Sequence, residues 1–117
     1  MKTIQMSAAV LVQPLPGIKR RTLVFNPDVM ICHFSQRAGA RIPIHDHVAV
    51  QAGYVIQGRM RFFLDDGTSF DAVAGDAYLF ESWERHGSEA LEDSELVESF
   101  TPSRPEYENP PLSKQES

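Results

Sequence analysis

Along most of the chain apolar and polar residues alternate in short runs broken by Gly, Pro, Asn or Asp, and no stretch carries the spacing of an amphipathic helix. Alternation of period two marks strands with one buried face. It predicts strands over Arg21–Phe25 and, after a turn at Asn26-Pro27-Asp28, over Val29–Ser35. A further strand starts at Arg41 after Ala38-Gly39, and two more lie between Gln51 and Leu64, joined at Gln57-Gly58. Asp65-Asp66-Gly67 predicts a type I′ hairpin, and Ser69–Val73, Ala77–Phe80, Gly87–Leu91 and Glu95–Phe100 follow. Ala8–Val12 predicts an edge strand ahead of the Pro14-x-Pro16-Gly17 turn. Eight or nine short strands without a helix predict an all-β fold, a small antiparallel β-barrel or jelly roll.

This pattern divides the 117 residues into three parts. Residues 1–20 form an N-terminal segment whose strand is free to pair with its own barrel or with a second copy, which suggests a homodimer. Residues 21–104 form the barrel, and 105–117 a Pro-rich polar tail expected to pack loosely, four of the eight prolines lying beyond Thr101. With 42% hydrophobic and 23% charged residues the composition is that of a globular domain, and the apolar run at Ala8–Val12 is too short for a signal sequence or membrane span. A lone cysteine, Cys32, excludes an intrachain disulfide and alternates with Met30 and Phe34, as a buried thiol does; the cytoplasm is the expected compartment. A net charge of −5 with scattered basic residues argues against nucleic acid as a partner, and Lys19-Arg20-Arg21 reads as a solvated turn.

The chemistry concentrates between Gly39 and Gly58. On a backbone extended from Ile44 through Ala52, His45, His47 and Gln51 share one face, close enough for two imidazoles to converge on an ion at about 2.0–2.1 Å. A pair of half-exposed polar residues is the competing reading of His-x-His alone. A third histidine, His86, follows the short strand after Gly75. On the last strand Glu98 and Phe100 alternate onto one face, with Arg104 just beyond. If that face is the lumen, a carboxylate and an aromatic sit inside the barrel beside a guanidinium able to grip an anionic substrate's carboxylate; otherwise Glu98 is solvated and Arg104 is a tail charge. Strand parity leaves Tyr54, Arg61 and Trp83 unplaced.

Together the segments read G-x5-H-x-H-x3-Q-x6-G and G-x10-H, which resembles the two motifs of the cupin superfamily, the first usually written G-x5-H-x-H-x3,4-E-x6-G. Gln51 stands where that pattern has glutamate, Glu81-Ser82-Trp83 where the second motif has P-x-G, and Ala90 where an asparagine is expected. The resemblance implies one divalent transition metal ion, Zn, Ni, Fe or Mn, on His45, His47, Gln51 and His86. A neutral glutamine would leave more charge on the ion for Lewis-acid work. Between Arg20 and Arg104 the runs RRTLVFNPDVMICHFSQRAG, AGYVIQGRMRFFL, AGDAYLF and ESFTPSR further resemble the pectin-degradation cupins that linearise 4,5-unsaturated uronates to 5-keto-4-deoxyuronate. By that resemblance Glu98, Phe100 and Arg104 serve the substrate. Glu98 replaces the family's usual aspartate, and the spacing from His47 to Gln51 is one residue shorter than usual. An iron-dependent cupin dioxygenase and a non-catalytic barrel binding a small ligand are the alternatives on the same ligands.

Overall fold

The computed structural model describes residues 1–108. Ten strands run β1 Leu11–Leu15, β2 Ile18–Asn26, β3 Val29–Gln36, β4 Arg41–His45, β5 Val50–Gln57, β6 Arg59–Leu64, β7 Ser69–Val73, β8 Ala77–Phe80, β9 His86–Ala90 and β10 Ser94–Thr101, with single 3-10 turns at Met6–Ala8 and Pro105–Tyr107. They form two antiparallel sheets, one of six strands ordered β1-β2-β3-β10-β5-β8 and one of four ordered β4-β9-β6-β7, the jelly roll that the alternating sequence predicts. Among the described residues no helix is long and apolar enough to cross a membrane.

Period-two patterning decides what faces inward. In β10 every second side chain, Ser94, Leu96, Glu98 and Phe100, is buried, and in β3 Met30, Cys32 and Phe34 meet them from the neighbouring strand. Met60, Phe62 and Ala90 close the core from the smaller sheet. Fully burying a side chain such as Phe100, Met30 or Leu96 contributes about 1.5–3 kcal/mol. Cys32 is a buried free thiol that burial pushes up to about 11, which suits a core residue and not a nucleophile.

Four local expectations are corrected. The N-terminal strand is Leu11–Leu15, not Ala8–Val12, because residues 6–8 coil into a 3-10 turn; it pairs with β2 of its own chain, Leu11 opposite Arg21. Lys19-Arg20-Arg21 is no solvated turn: it lies within β2, whose pairing with β3 turns Arg20 inward to 5% exposure. The 65–67 hairpin is not type I′, since only Gly67 has a positive φ, of 91°. Gly67 N–H donates to Leu64 O at 3.2 Å and Leu64 N–H to Thr68 O at 2.9 Å, a type I turn closed by a left-handed glycine. The tail, finally, begins with contact: Tyr107 packs on the core, its ring 5.5 Å from that of Phe100 and its carbonyl accepting from the Thr22 hydroxyl. Residues 109–117 of the expected tail lie outside the described residues.

Candidate metal centre

His45 ends β4, His86 opens β9 beside it, and the two are paired across the smaller sheet. The extended run expected from Ile44 through Ala52 is instead broken by a bend over 46–49, which carries the chain from one sheet to the other. His47 projects from the bend, and Gln51 comes from β5 in the six-stranded sheet. The bend brings the rings closer than a straight strand would, with centroids 4.5 Å apart for His45–His86, 5.1 Å for His47–His86 and 5.4 Å for His45–His47. The ligating atoms of the three histidines lie within 4.8 Å of one another.

Backbone carbonyls settle the tautomers. His45 Nδ1 meets Pro43 O at 2.9 Å, His47 Nδ1 meets Ala49 O at 2.8 Å and His86 Nδ1 meets Glu84 O at 2.7 Å. A carbonyl only accepts, so each Nδ1 carries the proton and each neutral ring keeps a lone pair on Nε2. Protonating Nε2 of His86 and His47 as well is disfavoured: burial lowers His86 to about 4 and, with the Arg104 charge, lowers His47. Gln51 Oε1, also an acceptor, lies 3.1 Å from His47 Nε2 and 3.2 Å from His86 Nε2. Lone pairs brought this close call for a cation between them. Two ligands at right angles on bonds of about 2.1 Å are roughly 3 Å apart, so the donor set fits a divalent transition metal. Phe80 lies flat on His86, centroids 4.1 Å apart and planes 6° from parallel, and fixes that ring.

Glu98 stands behind the cup on β10, 6% exposed. Its Oε2 accepts from Gln51 Nε2 at 2.8 Å and from the Tyr78 hydroxyl at 2.5 Å, and Oε1 has no donor among the described residues. Burial pushes the carboxyl above its ordinary value; the Tyr78 and Gln51 donors and the Arg104 charge oppose the rise. Phe100 meets His47 edge to face at 6.0 Å, and the Arg104 guanidinium carbon sits 5.3 Å above the Phe100 ring. A cavity of about 40 Å³ is lined by His45, Gln51, His86, Glu98, Phe100 and Arg104 among others. Six of the seven residues singled out from the sequence therefore line one space, and the seventh, His47, adjoins it through Gln51 and Phe100. The fourth histidine does not, since His33 turns away to Glu95, 3.1 Å distant.

Three neighbours escaped the sequence reading. Tyr78 shares inward parity with Phe80, and an inward tyrosine needs a hydroxyl partner, so that signal was present. Its ring lies over Gly53, where any Cβ would overlap it. Tyr107 sits in a segment without periodicity, and Arg20 was hidden in a run of basic residues. Trp83 takes the position of the usual motif glycine and keeps that residue's left-handed conformation, φ 66°, while its N–H donates to His47 O at 2.8 Å. Arg61 pairs with Asp71 on the surface and Tyr54 is exposed.

A two-sheet β jelly roll whose lumen carries three histidines and a glutamine is a barrel of the cupin kind, with a histidine triad able to hold an ion. The cupin domain matches residues 33–98, and the chain belongs to the cupin family. Among solved structures it is similar to KdgF from a Halomonas species, at 30% identity and a TM-score of 0.81, covering 88% of this chain and 96% of that one. An RmlC-like cupin from Shewanella frigidimarina has 24% identity and a TM-score of 0.86 over 92% and 96% of the two chains. Ectoine synthase from P. lautus shares the fold at 19% identity, a TM-score of 0.78 and coverage of 87% and 78%. No curated protein sequence gives a significant match. The likeness to KdgF supports the resemblance to the pectin-degradation cupins.

Proposed function

We propose that the protein is a metal-dependent cupin enzyme that linearises a 4,5-unsaturated uronate to 5-keto-4-deoxyuronate. The observation that carries this reading is the placement of Glu98, held by Gln51 and Tyr78 through one oxygen, beside both the histidine cup and the Arg104 guanidinium. The motif resemblance and the likeness to KdgF supply the substrate class.

An ion on His45, His47, His86 and Gln51 would supply Lewis acidity toward a substrate oxygen. The chain's own residues do the rest. Arg104 binds the carboxylate, and Phe100 shapes the pocket between it and the cup. Glu98 Oε1, the oxygen free of protein donors, takes the proton from the anomeric hydroxyl as the bond from C1 to the ring oxygen breaks. C1 becomes the aldehyde carbon and the ring oxygen the enol oxygen. Return of a proton to C4 converts the enol to the C5 ketone, so the reaction is an isomerisation without net gain or loss of atoms. A carboxyl that burial makes readier to hold a proton is suited to both directions of that transfer.

The outer face of the six-stranded sheet exposes Ile31, Tyr54, Ile56 and Leu79. We infer that a second copy covers it, giving a homodimer that light scattering would detect, in a reducing compartment such as the cytoplasm where Cys32 stays free.

The test of the activity is the ultraviolet absorbance of an unsaturated monouronate over time with metal-loaded protein. Decay faster than the spontaneous reaction, lost in His47→Ala, is the expected result; metal-loaded protein that leaves the spontaneous rate unchanged would sink the reading.

A further inference from the structure

Beside the cup, two arginines meet on one aromatic ring, and neither has a buried carboxylate as ion-pair partner among the described residues. Arg20 reaches inward from β2 and places its guanidinium carbon 4.3 Å from the centre of the Tyr107 ring; Arg104 places its own 4.1 Å from the same centre. Two cations thus lie against one aromatic ring, separated by no more than the sum of those distances. Arg20 is 5% exposed, its Nε has no acceptor, and it makes no ion pair among the described residues. Arg104 has only the exposed Glu106, its Nε 3.5 Å from the carboxylate and without a hydrogen bond. Glu108, next to Tyr107, is buried but pairs with neither arginine among the described residues.

Like charges held against one ring, one of them buried and each with an unpaired donor, form a site that an incoming anion completes. The ring makes the arrangement tolerable, because its face attracts each guanidinium. The cavity beside it, lined by both Tyr107 and Arg104, encloses about 40 Å³, enough for a carboxylate and too small for a pyranose ring. An acid sugar would enter with its carboxylate leading and leave its ring at the mouth, by the half-exposed His45 and His47. Arg20, Arg104 and Tyr107 all lie outside the 33–98 span that matches the cupin domain, so they are additions to the part of the chain that the general domain describes.

Resting on the uronate reading above, we propose that Arg20 is a positioning residue of the carboxylate site: stacked on Tyr107, it fixes that ring against Arg104, which lines the cavity, and adds a second positive charge behind them. Arg20 acts through Tyr107 and does not itself touch the reacting carbons.

The experiment titrates metal-loaded protein with D-galacturonate, using D-galactose as the neutral control, for the natural sequence, Arg20→Gln and Arg20→Lys. The natural sequence is expected to prefer galacturonate. Arg20→Gln weakens galacturonate tenfold or more, with galactose binding and metal content unchanged, and Arg20→Lys, which keeps the charge without the planar face, recovers part of the loss. In turnover of the unsaturated uronate, Arg20→Gln raises KM by a similar factor with a smaller effect on kcat. Should Arg20→Gln not fold, Tyr107→Leu removes the ring that joins the two arginines and carries the same expectation. Equal galacturonate affinity with and without Arg20, an equal loss for galactose, or no preference for the acid in the natural sequence overturns the inference. Normal linearisation with an unchanged KM in Arg20→Gln overturns it alone; absence of linearisation in the natural sequence overturns the uronate reading, and the galacturonate titration still decides the role of Arg20.

Discussion

Gln51 turns the two ends of one amide to different tasks: Nε2 donates to Glu98 Oε2 at 2.8 Å, and Oε1 faces the Nε2 atoms of His47 and His86 at 3.1 and 3.2 Å. A glutamate at this position could still offer oxygen to a metal, but it would set a second carboxylate against Glu98 and remove the donor that holds it. The neutral ligand is therefore explained by its neighbour as well as by the charge left on an ion. Gln51→Glu is expected to keep metal per subunit and lower kcat by at least tenfold, with Glu98 shifted further toward the neutral form. Metal analysis alongside turnover checks this; full activity would contradict the shared role.

Glu98→Gln should retain the metal and lose about 10²–10⁴ in kcat, the usual worth of a positioned general acid or base. Bound metal and initial rates measured on one preparation separate this from loss of the cup. Activity within a few fold of the natural protein would move the proton transfer elsewhere.

Tyr78→Phe deletes the 2.5 Å hydrogen bond to Glu98 and leaves the ring in place. A hydrogen bond to a charged group contributes about 1.5–3 kcal/mol, so both stability and turnover should fall. Gly53→Ala pushes on the same contact from below, since the added methyl overlaps the Tyr78 ring; the cost of such overpacking is about 1–3 kcal/mol in denaturant unfolding. Loss of activity without loss of metal in both variants would trace the effect to Glu98.

Acid should unfold the metal-free protein earlier than the metal-loaded one. Burial holds His86 at about 4, below the value of an unfolded histidine near 6.5, and lowers His47 as well. Above about pH 6.5 neither state takes up the proton and no stability is lost. Between about 6.5 and 4 the unfolded chain binds a proton that the folded one refuses, so stability falls as pH falls, by up to about 3 kcal/mol for His86. Below that both states are protonated and the loss is complete. Urea midpoints across this window, with and without chelator, are the measurement; a midpoint flat from pH 7 to 4 in the chelated protein contradicts it.

The sequence was a good guide wherever one local rule decided the outcome. Alternation located nearly every strand, parity put Glu98 and Phe100 on one face, which the structure turns into the lumen, and the glycine-bounded histidine segments marked the cup. It was a poor guide where distant segments decide. The bend at 46–49 carries no Gly or Pro and only Asp46 as a turn residue, and it goes with the change of sheet; Arg20 is buried because Tyr107, 87 positions later, provides a ring to stack on. Trp83 accepts a left-handed backbone, although a glycine would do so without strain, because the turn is pinned by its hydrogen bond to His47 O.

His45 and His86 stand on the four-stranded sheet while Gln51 stands on the six-stranded one, so the gap between the sheets is itself a coordinate of the site. Met60 and Val55 line no part of the site cavity, yet they are spacers in that gap. Repacking them by a methylene would alter ligand separations before it threatened the fold. In a lineage of such barrels, drift in the greasy interior would thus surface first as a change in which metal is preferred, long before any ligand was replaced.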